Sequence, residues 1–432
     1  MLSATAIFLF FLLLATGTPV AIALGLGSAA ALWWFDMPVA VVAQRIVNSL
    51  DSTTLLAVPM FIFAAALFNV TGLTTQLFDF IRMVIGRIRG GLGYVTVLTH
   101  LVFSGVSGAA LADIGALGKI QIDMMREQGY KDNFAAGICM AAATLGPIFP
   151  PSIPLVIFAM AAEISPVKVL IAGIIPALII AAFLMGMVWW IARRAGLPRD
   201  TIVVTRSQFV SRLWFAMPAL LAPVVLIGGI LFGLFGETEA AAVTVVYALL
   251  AGLFFYRALT TRGFVDALRE TVRSTAGVML IVGAAALFAW VLTIDQVPTK
   301  AADLLLALSK DPWMLLIIVN FLLLVVGMIM ETIAAILILT PIIVPALAAA
   351  GVDPVHLGVV VVLNLMIGLL TPPVGMSLYM VSTVAGMPVE RVIKAALPWI
   401  GCLLLSLAAV TFVPAASTWL PVPISAPQHS CG

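Results

Sequence analysis

Long apolar stretches alternate with short polar segments along almost the whole chain. A transmembrane helix needs about 20 mainly apolar residues. The stretches of suitable length lie at about 4–35, 52–71, 134–163, 167–192, 213–235, 238–256, 274–294, 355–385 and 391–413. The first is overlong and is interrupted at Gly17-Thr18-Pro19, so it is either one kinked helix or two shorter pieces. The pattern predicts an all-α polytopic membrane protein with about nine crossing helices.

Two further apolar segments, 91–127 and 312–350, carry a small-residue or polar interruption near the centre. The interruption spans residues 104–108 in the first segment and 327–332 in the second. Each segment is long enough for two arms of about 15 residues, which are too short to cross the bilayer comfortably. We therefore predict that both segments are re-entrant helical hairpins.

The positions of the basic residues favour the hairpin interpretation. If each segment leaves the membrane on the side from which it entered, 17 of the 21 Lys and Arg residues lie on a single side. The exceptions are Arg45, Lys168, Lys300 and Lys310. If the first segment crosses instead, the arginine-rich loops at 193–212 and 257–273 fall on the other side and the asymmetry is lost. Because cytoplasmic loops carry the excess of Lys and Arg, this topology places the N-terminus in the cytoplasm and the C-terminus outside.

The two halves of the sequence repeat one another at an offset of 222 residues. Glycines and prolines coincide without a gap, including Gly105 with Gly327, Gly146 with Gly368, and Pro150-Pro151 with Pro372-Pro373. Five predicted crossings separate the hairpins, and an odd number inverts the second copy. Inverted repeats with broken helices at matching positions are typical of secondary transporters, whose binding sites lie near the membrane midplane.

Each repeat pairs a hairpin tip with a proline-rich interruption of a crossing helix, at 146–154 and at 368–375. Proline removes a backbone donor and opens the helix. The freed carbonyl groups persist in a membrane only where they line a cavity or meet a ligand. Together with the Ser, Thr and Glu oxygens of the tips, they suit sodium, a small hard cation. The second arm of each hairpin begins with free N–H groups, which favour an anion.

Charged residues sharpen this hypothesis. No Lys or Arg lies near either tip or interruption, so bound cations and helix N-termini are the remaining partners for a carboxylate substrate. We therefore hypothesise sodium-coupled uptake of an organic anion. Glu331 is a membrane-embedded acid, which favours a functional role, although hydrogen bonding at the tip is the alternative. For Asp113 structural and functional roles are equally favoured, and His100 is expected to be packed and hydrogen-bonded.

Composition and smaller features narrow the function classes. Hydrophobic residues make up 63% of the chain and charged residues 9%, whereas about 25% are charged in a soluble domain. The net charge of +2 without a basic stripe argues against nucleic-acid binding. The three cysteines have no disulfide or metal-site spacing, and no HExxH or GxSxG motif is present. We expect neither an enzyme nor a cofactor, with sodium only as a coupling ion. A receptor or scaffold without transport is a further alternative.

Segment 73–89 predicts an interfacial amphipathic helix.

Several groups of residues, in one order over nearly the whole chain, carry a resemblance to a known family. They are 55–64, 103–108, 146–153, 327–331 with 338–341, and 370–375. They resemble the large membrane subunit of tripartite ATP-independent periplasmic (TRAP) transporters. The resemblance implies an elevator-type, sodium-coupled carrier of the bacterial inner membrane. It also implies a separate small four-helix membrane subunit and a periplasmic solute-binding protein that delivers an organic acid, such as a C4-dicarboxylate or a sugar acid.

The resemblance further implies a scaffold and a transport domain. Scaffold helices are expected in 1–90, which includes the interfacial arm helix, and in 193–311, which includes cytoplasmic loops. The transport domain is expected in 91–192, with hairpin 91–127 and broken helix 134–163, and in 312–414, with hairpin 312–350 and broken helix 355–385. Residues 415–432 are expected to form a tail.

Site residues are also implied by the resemblance. The two sodium sites fall at Ser104, Gly105, Ser107, Gly146 and Pro150, and at Gly327, Thr332, Gly368 and Thr371. Substrate contacts are expected from Ser107, Gly108, Ser152, Glu331 and Thr332. Gly108-Ala109-Ala110 replaces a more polar tip, which removes hydroxyls from the substrate contacts. The small subunit is expected to be a separate polypeptide, since these 432 residues hold no segment that corresponds to it. The alternative function is a stand-alone divalent-anion/sodium symporter, which needs no binding protein.

Overall fold

The computed structural model describes residues 1–108, 110–199 and 205–421, apart from the side chains of residues 104–107 and 116. Helices are the only regular elements in these residues. In the first half they are α1 (Leu2–Ala15), α2 (Val20–Trp34), α3 (Val39–Leu50), α4 (Ala57–Val70), α5 (Leu73–Ile85), α6 (Gly91–Ser107), α7 (Ala110–Asp113), α8 (Lys119–Glu127), α9 (Asp132–Ala143), α10 (Ile153–Ala161), α11 (Pro166–Ala172) and α12 (Ile174–Ala195). In the second half they are α13 (Arg206–Leu231), α14 (Glu237–Leu250), α15 (Thr261–Ile294), α16 (Val297–Leu308), α17 (Pro312–Ile329), α18 (Thr332–Ala349), α19 (Pro354–Gly368), α20 (Met376–Ala385), α21 (Val389–Phe412) and α22 (Ala415–Thr418).

Seven helices of the described residues are long and apolar enough to cross a bilayer, or eight if the bent pair Val39–Leu50 and Thr54–Val70 forms one span. This number includes both arms of the second predicted hairpin, Pro312–Ile329 and Thr332–Ala349, and leaves out the interrupted stretches, so it does not test the prediction of about nine crossings. Stretches 134–163 and 355–385 are each interrupted and form two short helices, as their proline-rich centres indicate. Each arm of the second hairpin, in contrast, is 18 residues long and exceeds the expected length of about 15.

The first apolar stretch is two helices rather than one kinked helix. Gly17 adopts a positive φ between α1 and α2, and the backbone of Phe10 packs against Gly27, so the two helices are antiparallel. Ser3 donates from its backbone N–H and its hydroxyl to Asp295, at 2.9 and 2.8 Å. Since Asp295 follows the end of α15 that is remote from its arginines, the N-terminus lies opposite the basic loops. The expected cytoplasmic N-terminus is therefore wrong, because a hairpin of two short helices returns to its starting side.

The helix ends define two faces. We call the end that carries the arginines of α13 and the start of α15 the basic face, and the end that carries Asp295 the opposite face. Arg212 at the basic face bonds to Asp79 of α5 at 3.1 Å. Hairpin 1, made of α6 to α8, opens to the basic face, where Arg126 bonds to the carbonyl of Ala385 at 2.6 Å. Hairpin 2, made of α17 and α18, opens to the opposite face, where Trp313 packs on Phe412.

Residues 73–85 of the amphipathic segment 73–89 form helix α5, as the pattern predicts, and the helix ends four residues before the segment does. Phe78 and Ile81 are buried, whereas Val84 is half exposed. The apolar side of α5 thus packs on protein, mainly on α6 and α13. This contact places α5 beside the first hairpin.

Candidate functional site

A cavity of about 710 Å³ lies where the two hairpins and the two interrupted helices approach each other. Gly108 reaches it from the tip of hairpin 1, and Glu331 and Thr332 reach it from the tip of hairpin 2. Pro147 and Leu369 line it from the two interruptions. Helices α4, α5 and α15 form the remaining wall. The elements that the repeat pattern singles out therefore meet at one cavity.

The tip of hairpin 1 lies directly on the first interruption. Gly108 has a φ of +61°, and a Cβ atom there would lie 2.7 Å from the carbonyl oxygen of Pro151. Only glycine combines this backbone conformation with such a close approach. Ser152 donates its hydroxyl hydrogen to the carbonyl of Pro147 and accepts from the N–H of Leu155 at 3.1 Å. The Ser152 hydroxyl therefore caps α10 and fixes the interruption.

The tip of hairpin 2 packs on the second interruption through glycine backbones. A Cβ atom on Gly368 would lie 2.6 Å from the Cα of Gly327. Beyond this contact, the N–H of Gly375 donates to the carbonyl of Met328 at 3.2 Å. Backbone atoms of the tip and of the interruption thus meet without intervening side chains, and the carbonyl groups of Gly327 and Leu365 lie at this contact.

Oxygen-bearing side chains surround this second contact. Glu331 accepts from the N–H groups of Ile333 and Ala334, at 2.9 and 3.2 Å, and so caps α18. The hydroxyl of Thr332 is buried, lines the cavity and has no hydrogen-bond partner. Thr371 donates its hydroxyl hydrogen to the carbonyl of Ile367 at 2.7 Å, which leaves its oxygen lone pairs available. A buried hydroxyl without a partner is costly, so Thr332 favours a bound ligand at this position.

The ionisable side chains that line the cavity are all acidic. Its ionisable residues are Asp113, Glu270 and Glu331, and no Lys or Arg of the described residues lines it. Glu270, Ser274 and Val278 face the cavity from α15 at intervals of four residues. The sequence pattern places 257–273 in a cytoplasmic loop and therefore does not predict that Glu270 lines the cavity. The signal in the sequence is the spacing of four residues, which places side chains on one face of a helix. Helix α15 in fact begins at Thr261.

A buried polar cluster lies behind the first interruption. A Cβ atom on Gly146 would lie 2.6 Å from Oδ2 of Asp113. Nδ1 of His100 lies 3.9 Å from the same oxygen, and its Nε2 lies 3.1 Å from Oε1 of Gln121. Asp113, His100 and Gln121 are fully buried. The prediction of a packed, hydrogen-bonded His100 is confirmed. Asp113 lies next to Gly146, one of the residues predicted for the first sodium site.

The residues predicted to bind sodium or substrate fall into three groups. Gly108, Glu331 and Thr332 line the cavity. A second group lies in or next to the two tip–interruption contacts without lining the cavity: Gly146, Pro150, Ser152, Gly327, Gly368 and Thr371. The last group belongs to α6, where the side chains of Ser104 and Ser107, and the surroundings of Gly105 between them, lie outside the described residues.

Comparison with known proteins identifies the family. The family model for the tripartite ATP-independent periplasmic transporter, DctM component, matches residues 7–416. The sialic acid TRAP transporter large permease SiaM of Vibrio cholerae is 43% identical over 379 residues, covering 88% of each chain. The C4-dicarboxylate TRAP transporter large permease DctM of Pseudomonas aeruginosa is 41% identical over 398 residues, covering 91% of this chain and 92% of that one.

Among solved structures, the fold is similar to that of the YdaH transporter of Alcanivorax borkumensis. The TM-score is 0.62 at 16% sequence identity, and the match covers 88% of each chain. The similarity at this identity concerns the fold alone.

Proposed function

This chain belongs to the family of tripartite ATP-independent periplasmic transporter DctM components, and on that premise we propose that it couples sodium entry to the uptake of an organic carboxylate. It is a multi-pass protein of the inner membrane and the large permease of an organic-acid transport system. The coupling ion, the alternating-access mechanism and the substrate are the parts that we propose.

The charge of the central cavity is the observation that carries the proposal. Three acidic side chains and no basic side chain of the described residues line it. The lining therefore offers an anionic substrate no basic partner, and burying an unpaired charge is costly. Bound cations remove this obstacle. Each net positive charge that moves inward gains about 2.3 kcal/mol per 100 mV of membrane potential, so coupling to cations also supplies the driving force.

The donor set suits sodium. Hard cations prefer oxygen ligands, and the second tip–interruption contact offers backbone carbonyls together with the hydroxyls of Thr332 and Thr371. The unpartnered Thr332 oxygen is the group that gains most from a cation. In the first repeat the matching position is Gly146, where the Asp113 carboxyl group supplies a neighbouring oxygen.

We further propose an elevator mechanism. In it, residues 91–192 and 312–414 move as a transport domain against a scaffold formed by 1–90 and 193–311. The cavity lies between these two sets, since hairpin tips and interruptions form one wall and α4, α5 and α15 form the other. A substrate held at the tips would therefore be carried past a wall that stays in place.

The names of the relatives support the proposed class of substrate. SiaM is named for sialic acid and DctM for C4-dicarboxylates, and both substrates are carboxylates. We propose a substrate of this class, delivered by a periplasmic solute-binding protein, and a separate small four-helix subunit in the membrane. The acid-lined cavity offers few contacts that distinguish one carboxylate from another, so the binding protein is expected to set most of the specificity.

Uptake into proteoliposomes tests sodium coupling. The chain is reconstituted with its small subunit and binding protein, and uptake of radiolabelled N-acetylneuraminate and succinate is measured with sodium or choline outside. We expect uptake of one of the two carboxylates to require external sodium and to rise with an inside-negative potential. Undiminished uptake in choline contradicts sodium coupling.

The same preparation separates the proposal from a stand-alone symporter. Uptake is measured with and without the soluble binding protein while sodium is kept constant. We expect no uptake without the binding protein. Equal uptake in both conditions contradicts the proposed delivery and favours a symporter that needs no partner.

A further inference from the structure

A second cavity, of about 350 Å³, opens at the basic face. The loop before α9, the end of α12 and the first half of α21 form its walls. Lys131 and Lys394 line it from two different elements, and no aspartate or glutamate of the described residues does so. Asp132, the neighbour of Lys131, is bonded to Arg126 at 2.7 Å. The cavity therefore has a net positive lining.

The base of this cavity is apolar. Phe134 and Trp399 form it, with ring centroids 5.9 Å apart. The two side chains are only 8% and 2% exposed. Ile191 and Leu197 add apolar walls on the side of α12. A ligand that fills this cavity must therefore combine negative charge with an apolar part.

The last turns of α12 indicate the depth of the cavity in the membrane. Arg193 lies over the ring of Trp189 at 4.1 Å, and Arg194 lies over Trp190 at 4.5 Å. Both tryptophans are nearly half exposed. Exposed tryptophans concentrate at the membrane–water interface, and arginines concentrate at its cytoplasmic side. The cavity, which Ile191 and Ala195 of the same turns line, is thus at the level of the lipid headgroups.

We propose that this cavity binds the phosphate headgroup of an anionic phospholipid between α9, α12 and α21. The two lysines contact the phosphate oxygens, and the glycerol backbone and first acyl carbons cover Phe134 and Trp399. Basic pockets between membrane helices on the cytoplasmic side are suited to such headgroups. A zwitterionic lipid lacks the net charge, and a soluble anion leaves the apolar base exposed to water. The proposal is independent of the transported substrate.

Lipid binding is measured by native mass spectrometry on the purified, detergent-solubilised full chain. Cardiolipin is titrated against the wild type, Lys131→Gln/Lys394→Gln and the charge-conserving Lys131→Arg/Lys394→Arg. The matched control is Lys300→Gln/Lys310→Gln, which removes two lysines from the opposite face. Each basic residue near an anionic surface contributes about 1 kcal/mol, so the first double variant should bind cardiolipin about 30-fold more weakly. The arginine variant and the opposite-face control should bind it as the wild type does.

Parallel titrations with phosphatidylcholine and inorganic phosphate distinguish the possible ligands. We expect phosphatidylcholine to bind equally and weakly to all variants. Cardiolipin affinity that is unchanged in the glutamine variant overturns the proposal. Displacement of bound cardiolipin by millimolar phosphate also overturns it, because the site would then recognise a soluble anion rather than a lipid.

Discussion

The backbone contact between Gly327 and Gly368 offers a sharp test of the geometry of the candidate site. In Gly368→Ala, the new Cβ would lie 2.6 Å from the Cα and carbonyl carbon of Gly327 and 3.0 Å from its oxygen. Nonbonded carbon atoms prefer separations of about 3.5–4.0 Å. The neighbour is backbone rather than a flexible side chain, so hairpin 2 must move away from the interruption by about 1 Å.

The expected cost can be bracketed. Overpacking a well-packed interior typically costs about 1–3 kcal/mol. Replacing a helical glycine by alanine recovers up to about 1 kcal/mol through helix propensity, which leaves a net loss at Gly368. In Gly327→Ala the nearest atoms are 3.2 Å away, so a smaller shift is sufficient. Gly401→Ala in α21 meets nothing within 4 Å and should be neutral or slightly stabilising.

The three variants are compared by thermal unfolding in detergent, followed by tryptophan fluorescence, and by the sodium dependence of uptake. We expect the apparent Tm to fall most in Gly368→Ala and less in Gly327→Ala, and to stay unchanged in Gly401→Ala. The sodium concentration at half-maximal uptake should rise in the same order, because the contact holds the carbonyl groups together. If Gly368→Ala matches Gly401→Ala in both measurements, the proposed backbone contact at the second sodium site is refuted.

Further predictions concern single groups of the site and the N-terminal hairpin. Gly146→Ala places a Cβ 2.6 Å from Oδ2 of buried Asp113 and should destabilise the fold by an overpacking cost of about 1–3 kcal/mol, measured as a lower apparent Tm. A Tm equal to that of Gly401→Ala contradicts this. Thr332→Ala should raise the half-saturating sodium concentration roughly 10- to 100-fold, since a bond to a charged partner contributes about 1.5–3 kcal/mol. Thr332→Ser should retain the affinity for sodium. If Thr332→Ala and the wild type have equal affinities for sodium, Thr332 is not a ligand. Hydrogen bonds from the N-terminal amine and from Ser3 hold the pKa of Asp295 well below its ordinary value, so this contact stabilises the fold above about pH 4 and is lost as pH falls toward the depressed pKa. Leu2 is buried and its side chain takes no part in this contact, so Asp295→Asn should speed thiol labelling of a Leu2→Cys variant at pH 7, and unchanged labelling means that the contact does not hold α1.

The hairpins and interruptions were predictable because their signals are local. A proline pair such as Pro150-Pro151 inside an apolar stretch cannot continue a regular helix, and the same event recurs 222 residues later. The side predicted for the N-terminus was wrong because the first apolar stretch has no such local signal. Helices α1 and α2 are apolar on all sides, so no hydrophobic face shows whether they continue or fold back on each other.

The cavity wall could be predicted only in part. Glu331 and Thr332 stand at an interruption that the sequence marks. Glu270, in contrast, lies in a basic segment that suits a cytoplasmic loop equally well. Its role as a cavity residue depends on α15 being 34 residues long and packing on α18 of hairpin 2.

The amino-acid sequence by itself determined the membrane class, the duplicated halves, the two tips and the two interruptions, because burial in lipid leaves few structures for a chain of such composition. Only the tertiary structure decided which backbone atoms meet at Gly327 and Gly368, which acids face the cavity, and on which face the N-terminus lies. These features depend on contacts between residues far apart in the chain, and periodicity within one segment carries no information about its neighbours in space.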